Sequence, residues 1–92
     1  MPTAIKPKRK RVKFTIEGSE ESCVSVAGSF NDWNPKKNRL KYKDGQFATS
    51  VLLPRGRYEY KFVVDDNWCI DPQCPEWSTN ELGSLNSVLN VE

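Results

Sequence analysis

The sequence predicts an all-β protein, a single antiparallel β-sandwich of about seven or eight short strands. Three observations carry this expectation. From Arg11 almost to the end, apolar and polar residues alternate at period two, as in strands with one buried face. Clusters of Gly, Pro, Asn and Asp interrupt that alternation roughly every 8–12 residues, the rhythm of an immunoglobulin-like sandwich. No window carries a helical period. A chain of 92 residues makes one domain with a small core, burying roughly 60–65% of the unfolded surface.

Each expected element has its own local reason. Val12, Phe14 and Ile16 alternate with Lys13, Thr15 and Glu17 until Gly18-Ser19 breaks the run. Val24 and Val26 alternate with Ser25 and Ala27 before Gly28. Leu40 and Tyr42 alternate with Arg39, Lys41 and Lys43, and Asp44-Gly45 is a strong hairpin signal. Phe47, Thr49, Val51 and Leu53 then share one face, and Leu53-Pro54-Arg55-Gly56 turns the chain. The clearest strand follows, with Tyr58, Tyr60, Phe62 and Val64 inward and Glu59, Lys61 and Val63 outward. Asp65-Asp66-Asn67 turns the chain to Trp68 and Ile70. A long polar, Pro-containing loop is expected from Asp71 to about Ser84, and a last strand from about Asn86 to Val91.

Charge divides the chain in two. The formal net charge is +2, from 14 Lys and Arg against 12 Asp and Glu. Six of the basic residues lie between Lys6 and Lys13 without an acid, leaving eight basic against twelve acidic residues, a net of −4. Residues 1–10 are expected to form a solvated basic arm, because self-repelling charge with few apolar groups cannot order itself. Residues 11–92 form the sandwich. Such an arm could hold phosphates of nucleic acid or an anionic membrane, but a solubilising arm or linker is the simpler reading. An acidic body gives no reason to seek nucleic acid.

Whole function classes fall away on composition. The chain has no histidine, so the commonest general base, the commonest metal ligand and any Ser–His or Cys–His nucleophile are missing. No metal and no cofactor are expected. No apolar run approaches the ~20 residues that span a bilayer, and the N-terminus lacks an apolar signal core. Cys23, Cys69 and Cys74 are an odd set without a secretory signal, so a reduced, intracellular, cytoplasmic setting is the default expectation. Cys69 and Cys74 could pair in an oxidising one. A glycosidase needs two carboxylates facing each other across a cleft, whereas Asp32, Asp44, Asp65, Asp66 and Asp71 stand mostly in turns. The domain is therefore expected not to be an enzyme.

The aromatic residues divide in the same way. Phe14, Phe47, Tyr58, Tyr60 and Phe62 alternate within strands and read as core. Trp33 sits among turn-forming residues in Asn31-Asp32-Trp33-Asn34-Pro35, and Trp68 follows Asp65-Asp66-Asn67 at a strand edge. A turn tryptophan either folds back as a lid on the core or stands out as a flat plate flanked by Asn, Asp and Lys. An exposed plate suits the C–H face of a pyranose, with amide, carboxylate and ammonium groups for the rim hydroxyls. It also suits a nucleobase, so stacking alone does not choose the ligand.

Five segments then occur in order: Val26-Ala27-Gly28-Ser29-Phe30-Asn31-Asp32-Trp33, Leu53-Pro54-Arg55-Gly56, Tyr58-Glu59-Tyr60-Lys61-Phe62-Val63-Val64-Asp65 with Trp68, Asp71-Pro72, and Leu82-Gly83-Ser84-Leu85-Asn86-Ser87-Val88-Leu89-Asn90-Val91. Together they resemble the family-48 carbohydrate-binding modules, most closely the glycogen-binding domains of AMP-activated protein kinase β subunits. The resemblance covers about Val12 to Val91. It implies a noncatalytic sandwich that binds α-1,4-linked glucan such as glycogen, starch or maltooligosaccharides. On that resemblance Trp33 and Trp68 match the stacking tryptophans, Lys61 a lysine that hydrogen-bonds sugar hydroxyls, and Asn86 a polar contact in the last loop. Leu82 matches a leucine inserted into the curve of the glucan, with Ser84 in place of a neighbouring hydroxyl residue.

The departures from that pattern also carry expectations. Those kinase domains carry a phosphorylated serine after the first sugar tryptophan, and here no Ser or Thr lies between Trp33 and Phe47. The Trp68-to-Leu82 loop is one residue longer and contains Trp77, which either extends the sugar platform or packs the loop down, the second being favoured. No counterpart of the kinase β subunits' partner-holding C-terminal region, or of a glucan-hydrolase barrel, is expected in these 92 residues. The alternative function is a protein-interaction or regulatory module, attached to other domains or subunits, whose sugar binding is weak or lost.

Overall fold

The computed structural model describes residues 9–80 and 83–92. It is an all-β sandwich of eight strands: β1 (Arg9–Glu17), β2 (Val24–Gly28), β3 (Lys41–Lys43), β4 (Gln46–Pro54), β5 (Gly56–Val64), β6 (Asn67–Cys69), β7 (Trp77–Thr79) and β8 (Leu85–Val91). One 3-10 turn, Ser29–Asn31, follows β2. A three-stranded sheet runs β1-β4-β3, and a five-stranded sheet runs β2-β5-β8-β7, with β6 also paired to β5. All pairings between these strands are antiparallel. Among the described residues no helix is long and apolar enough to cross a membrane.

The core forms where the two sheets face each other. Phe14, Val24, Val26, Leu40, Phe47, Tyr60 and Phe62 make one buried cluster, with Phe30, Val51 and Leu89 among the residues packed against it. Aromatic edges meet faces within it: Phe14 crosses Tyr60 at 5.0 Å between ring centres, and Tyr60 crosses Phe62 at 5.9 Å. Such geometry suits the ring quadrupole and adds to simple burial.

The turns follow from their residues. Asp44 and Gly45 both have positive φ, as the two-residue turn between β3 and β4 requires. Asp65 and Asp66 do the same between β5 and β6, at φ 48° and 68°, where Asp tolerates the left-handed region better than most residues.

Three expectations need correction, and that for Val63 needs completing. The ladder starts at Arg9, paired with Pro54, so Arg9 and Lys10 belong to β1; the rest of the basic arm lies outside the described residues. Strand β2 is buried along its whole length rather than on one face, because β5 lies on one side and the 38–40 segment on the other, with Leu40 N–H donating to Val24 O at 2.9 Å. Val63 points outward from the core yet is buried, since β6 and the loop around Lys36 close over it. The long loop from Asp71 contains a strand, β7, which edges the larger sheet.

Candidate functional site

Register divides the larger sheet into two faces. Paired residues in an antiparallel ladder share a face, and neighbours along a strand alternate. Tyr60 and Phe62 face the core, so Glu59, Lys61 and Val63 face outward. Trp68 pairs with Val63 and Ala27 with Lys61, which places them on the outer face. Ser87 pairs with Tyr60, so its neighbour Asn86 is outward too.

On this face the polar groups are joined. Lys61 Nζ donates to Ser84 Oγ at 3.1 Å, and Asn80 Nδ2 donates to Ser84 Oγ at 2.6 Å and reaches Asn86 Oδ1 at 3.4 Å. Asn86 Nδ2 donates to Glu59 Oε1 at 3.2 Å, and Arg57 holds the other Glu59 oxygen at 3.0 Å. Lys61, Ser84 and Asn86 are therefore neighbours. Trp68 stands beside them, 46% exposed. Asn86 departs from expectation: it lies within β8 rather than in a loop, and it is buried, its amide engaged by Glu59 and Asn80. Leu82 lies outside the described residues.

Trp68 is held in place by the hairpin that carries it. Asp65 clasps the chain at Cys23 twice: its N–H donates to Cys23 O at 2.9 Å, and its Oδ1 accepts from Cys23 N–H at 2.8 Å. The tip of the β5–β6 hairpin is thus tied to the start of β2.

Trp33 is placed by a different device. Buried Asn31 donates to Val26 O and to Asn38 Oδ1, at 3.0 and 2.7 Å, and accepts from Gly28 N–H at 3.0 Å. A Cβ at Gly28 would lie 2.6 Å from Glu59 O and from the Phe30 ring, so only glycine allows the chain to pass so close. Asp32 and Trp33 then both adopt φ 57°, a left-handed conformation that costs a bulky residue on the order of 1 kcal/mol or more. Trp33 is half-buried, its N–H donating to Gly28 O at 2.9 Å. The loop it begins reaches the outer face, where Pro35 and Lys36 line a cavity with Val63 and Asp66.

Trp77 behaves otherwise. It pairs with Ser87, which turns it to the core-facing side, away from Trp68 and Lys61. It is 57% exposed because β7 edges the larger sheet, and no β7 residue joins the core cluster. It does not pack the loop down, and it does not extend the Trp68 platform. The loop is held instead by Asp71, which accepts from Tyr60 Oη at 2.7 Å while its N–H donates to Ser87 Oγ at 2.8 Å.

Sequence reading missed Glu59 and Asn80, which organise the polar cluster. Glu59 had a signal, since it alternates in phase with Lys61. The role of Asn80 depends on the return of the chain into β8, which no local pattern shows. Burial, with Asp71 alongside, pushes the Tyr60 hydroxyl far above its ordinary range, and burial raises the Cys69 thiol. Cys23, Cys69 and Cys74 are all free. Among the described residues no cluster of three or more His, Cys, Asp and Glu could hold a metal.

Comparison with known proteins identifies the family and the fold. The family model described as the glycogen recognition site of AMP-activated protein kinase matches residues 10–92. The β-2 subunit of 5'-AMP-activated protein kinase from Mus musculus is 38% identical over 90 residues, 97% of this chain and 32% of that one. The β-1 subunit from Bos taurus is 39% identical over 80 residues, 87% of this chain and 27% of that one. This chain thus spans about a third of the length of such relatives. A maltogenic amylase from S. marinus has a similar fold, with a TM-score of 0.77 and 23% identity over 95% of this chain and 14% of that one. With a matching family model over nearly all of its length, the chain belongs to the family of AMP-activated protein kinase glycogen recognition sites.

Proposed function

We propose that this domain binds α-1,4-linked glucan noncatalytically and brings whatever it is attached to onto the polysaccharide. One observation carries the reading: Trp68 stands exposed on the same open sheet face as the joined Lys61, Ser84 and Asn86 cluster. An indole stacks under the C–H face of a glucosyl unit, and the lysine and hydroxyl groups are within reach of its rim. Trp33 supplies the second plate, and Leu82 and Ser84 close the curve of the chain. Asn86 contacts sugar through whatever part of its amide the glucan can draw from Asn80, and otherwise holds Glu59 and Asn80 in position.

A face of this kind is a binding surface, and a carbohydrate-binding module leaves chemistry to other domains. The relatives are kinase subunits, which supports placing the domain inside the cell as one part of a larger assembly. Short oligosaccharides should bind with dissociation constants of roughly 10 μM to 1 mM, since two stacking plates and a few exposed hydrogen bonds leave a modest surplus. Glycogen gains avidity from its many chain ends.

Isothermal titration with maltoheptaose tests the reading. Saturable binding that falls at least tenfold in Trp33→Ala and in Trp68→Ala is the expected result. No detectable binding, or binding untouched by both substitutions, overturns it. A protein partner captured without retention on amylose would then favour the interaction module.

A further inference from the structure

Over β2 and Val63 lies a cavity of about 270 Å³, lined by Ser25, Pro35, Lys36, Arg39, Val63 and Asp66 among others. It belongs to the outer face, for Ser25 pairs with Val63 and Val63 with Trp68. Its charge is unusual for a surface that receives a neutral sugar. Lys37 leans toward Asp32, at 3.9 Å, but neither Lys36 nor Arg39 meets a carboxylate among the described residues. Ser25 is only 7% exposed, and it lines the cavity with its hydroxyl open to solvent rather than buried without a partner. Two cations without an ion pair among the described residues and an accessible hydroxyl around one hollow are the complement of an anion that also offers acceptor oxygens.

Resting on the glucan reading above, we infer that this cavity receives a phosphate monoester carried on a glucosyl unit of the bound chain. Lys36 and Arg39 hold the dianion, and the Ser25 hydroxyl donates to one of its oxygens. The loop that carries Trp33 delivers Lys36 and Arg39, so the stacking plate and the anion site are built on one short segment. Its shape is fixed by Asn34, whose Oδ1 accepts from Lys36 N–H at 2.9 Å. Among the described residues Asp66 is the one carboxylate lining the cavity. It opposes an anion and lowers the gain without cancelling two cations. An unphosphorylated glucan binds the same face and leaves the hollow to water.

The experiment compares maltoheptaose with maltoheptaose bearing one phosphate monoester, each titrated into the domain in low salt. The phosphorylated sugar should bind about three- to tenfold tighter, the range expected for partly exposed charge-assisted contacts. That gain should shrink as salt rises from roughly 50 to 500 mM, while the neutral sugar is unaffected. Lys36→Gln with Arg39→Gln should abolish the gain and leave maltoheptaose affinity alone, and Asp66→Asn should enlarge it. Equal affinity for the two sugars, or a gain that survives the double substitution, overturns the inference while the glucan reading stands. Failure of both sugars to bind overturns the glucan reading and this inference with it. Inorganic phosphate and glucose 6-phosphate serve as separate arms. Either one binding as tightly as the phosphorylated glucan would show a free-phosphate site and overturn the assignment to polysaccharide.

Discussion

Strand β5 serves two surfaces of opposite character. On one side Phe62 is fully buried and Tyr60 nearly so, each set edge-on to another ring. On the other, Lys61 and Glu59 belong to a chain of polar side chains beside an exposed indole. Neighbouring residues thus carry unlike tasks, and the backbone that fixes one fixes the other. Period-two alternation keeps the tasks separate, because a change to a side chain on one face leaves the other face's register untouched. Stability should therefore reside on the inner face and binding on the outer one.

The largest effect tests the inner face. Phe62→Ala removes a fully buried ring and should cost about 3–5 kcal/mol of unfolding free energy. A domain of this size has on the order of 5–10 kcal/mol in total, so that variant verges on unfolding. Phe62→Leu is the milder probe, expected to cost about 1–2 kcal/mol by denaturant titration while its folded fraction binds maltoheptaose normally. Reduced affinity in folded Phe62→Leu would break the division between the faces.

A smaller effect concerns pH. The Tyr60 hydroxyl is held far above its ordinary range, chiefly by burial and then by its hydrogen bond to the Asp71 carboxylate. In the unfolded chain the same group ionises near pH 10. The unfolded state therefore releases a proton that the folded state retains, and stability present below pH 10 is lost as pH rises beyond it. The slope approaches about 1.4 kcal/mol per pH unit. Chemical denaturation at pH 9, 10 and 11 should show this loss for the native chain and a shallower one for Tyr60→Phe. Equal slopes would show that Tyr60 ionises without unfolding.

Much of this was legible in the sequence, for reasons that particular residues make clear. The Asp44-Gly45 turn, the inward set of β5 and the outward Lys61 follow from local chemistry and alternation, and the structure has them as expected. Val63 points outward as expected, but its burial went unseen because alternation reports which way a side chain points, and not what later covers it. β7 went unseen because three residues are too few to display a period, and its pairing depends on β8, ten residues away. The outer face of the candidate site was legible through Trp68 and Lys61, which register places on it together. The burial of Asn86 was not legible, for it arises from Glu59 and Asn80, which reach it from other segments.

The smallest effect sharpens the comparison most. Trp68 and Trp77 are both exposed, 46% and 57%, and exposure alone would nominate Trp77 as the better sugar plate. Register says otherwise: Trp68 pairs with outward Val63, and Trp77 with Ser87, which shares the face of Tyr60. Lys61, Ser84 and Asn86 all lie on the first side. Trp77→Ala should accordingly leave maltoheptaose affinity within about twofold, whereas Trp68→Ala lowers it at least tenfold. Its cost in stability should stay below about 1 kcal/mol, since little of that side chain is withdrawn from water. Two titrations and two melting curves decide the matter. If Trp77→Ala weakened binding as much as Trp68→Ala, the glucan would have to wrap the β7 edge, and the separation of the two faces by register would fail where it is most exposed to test.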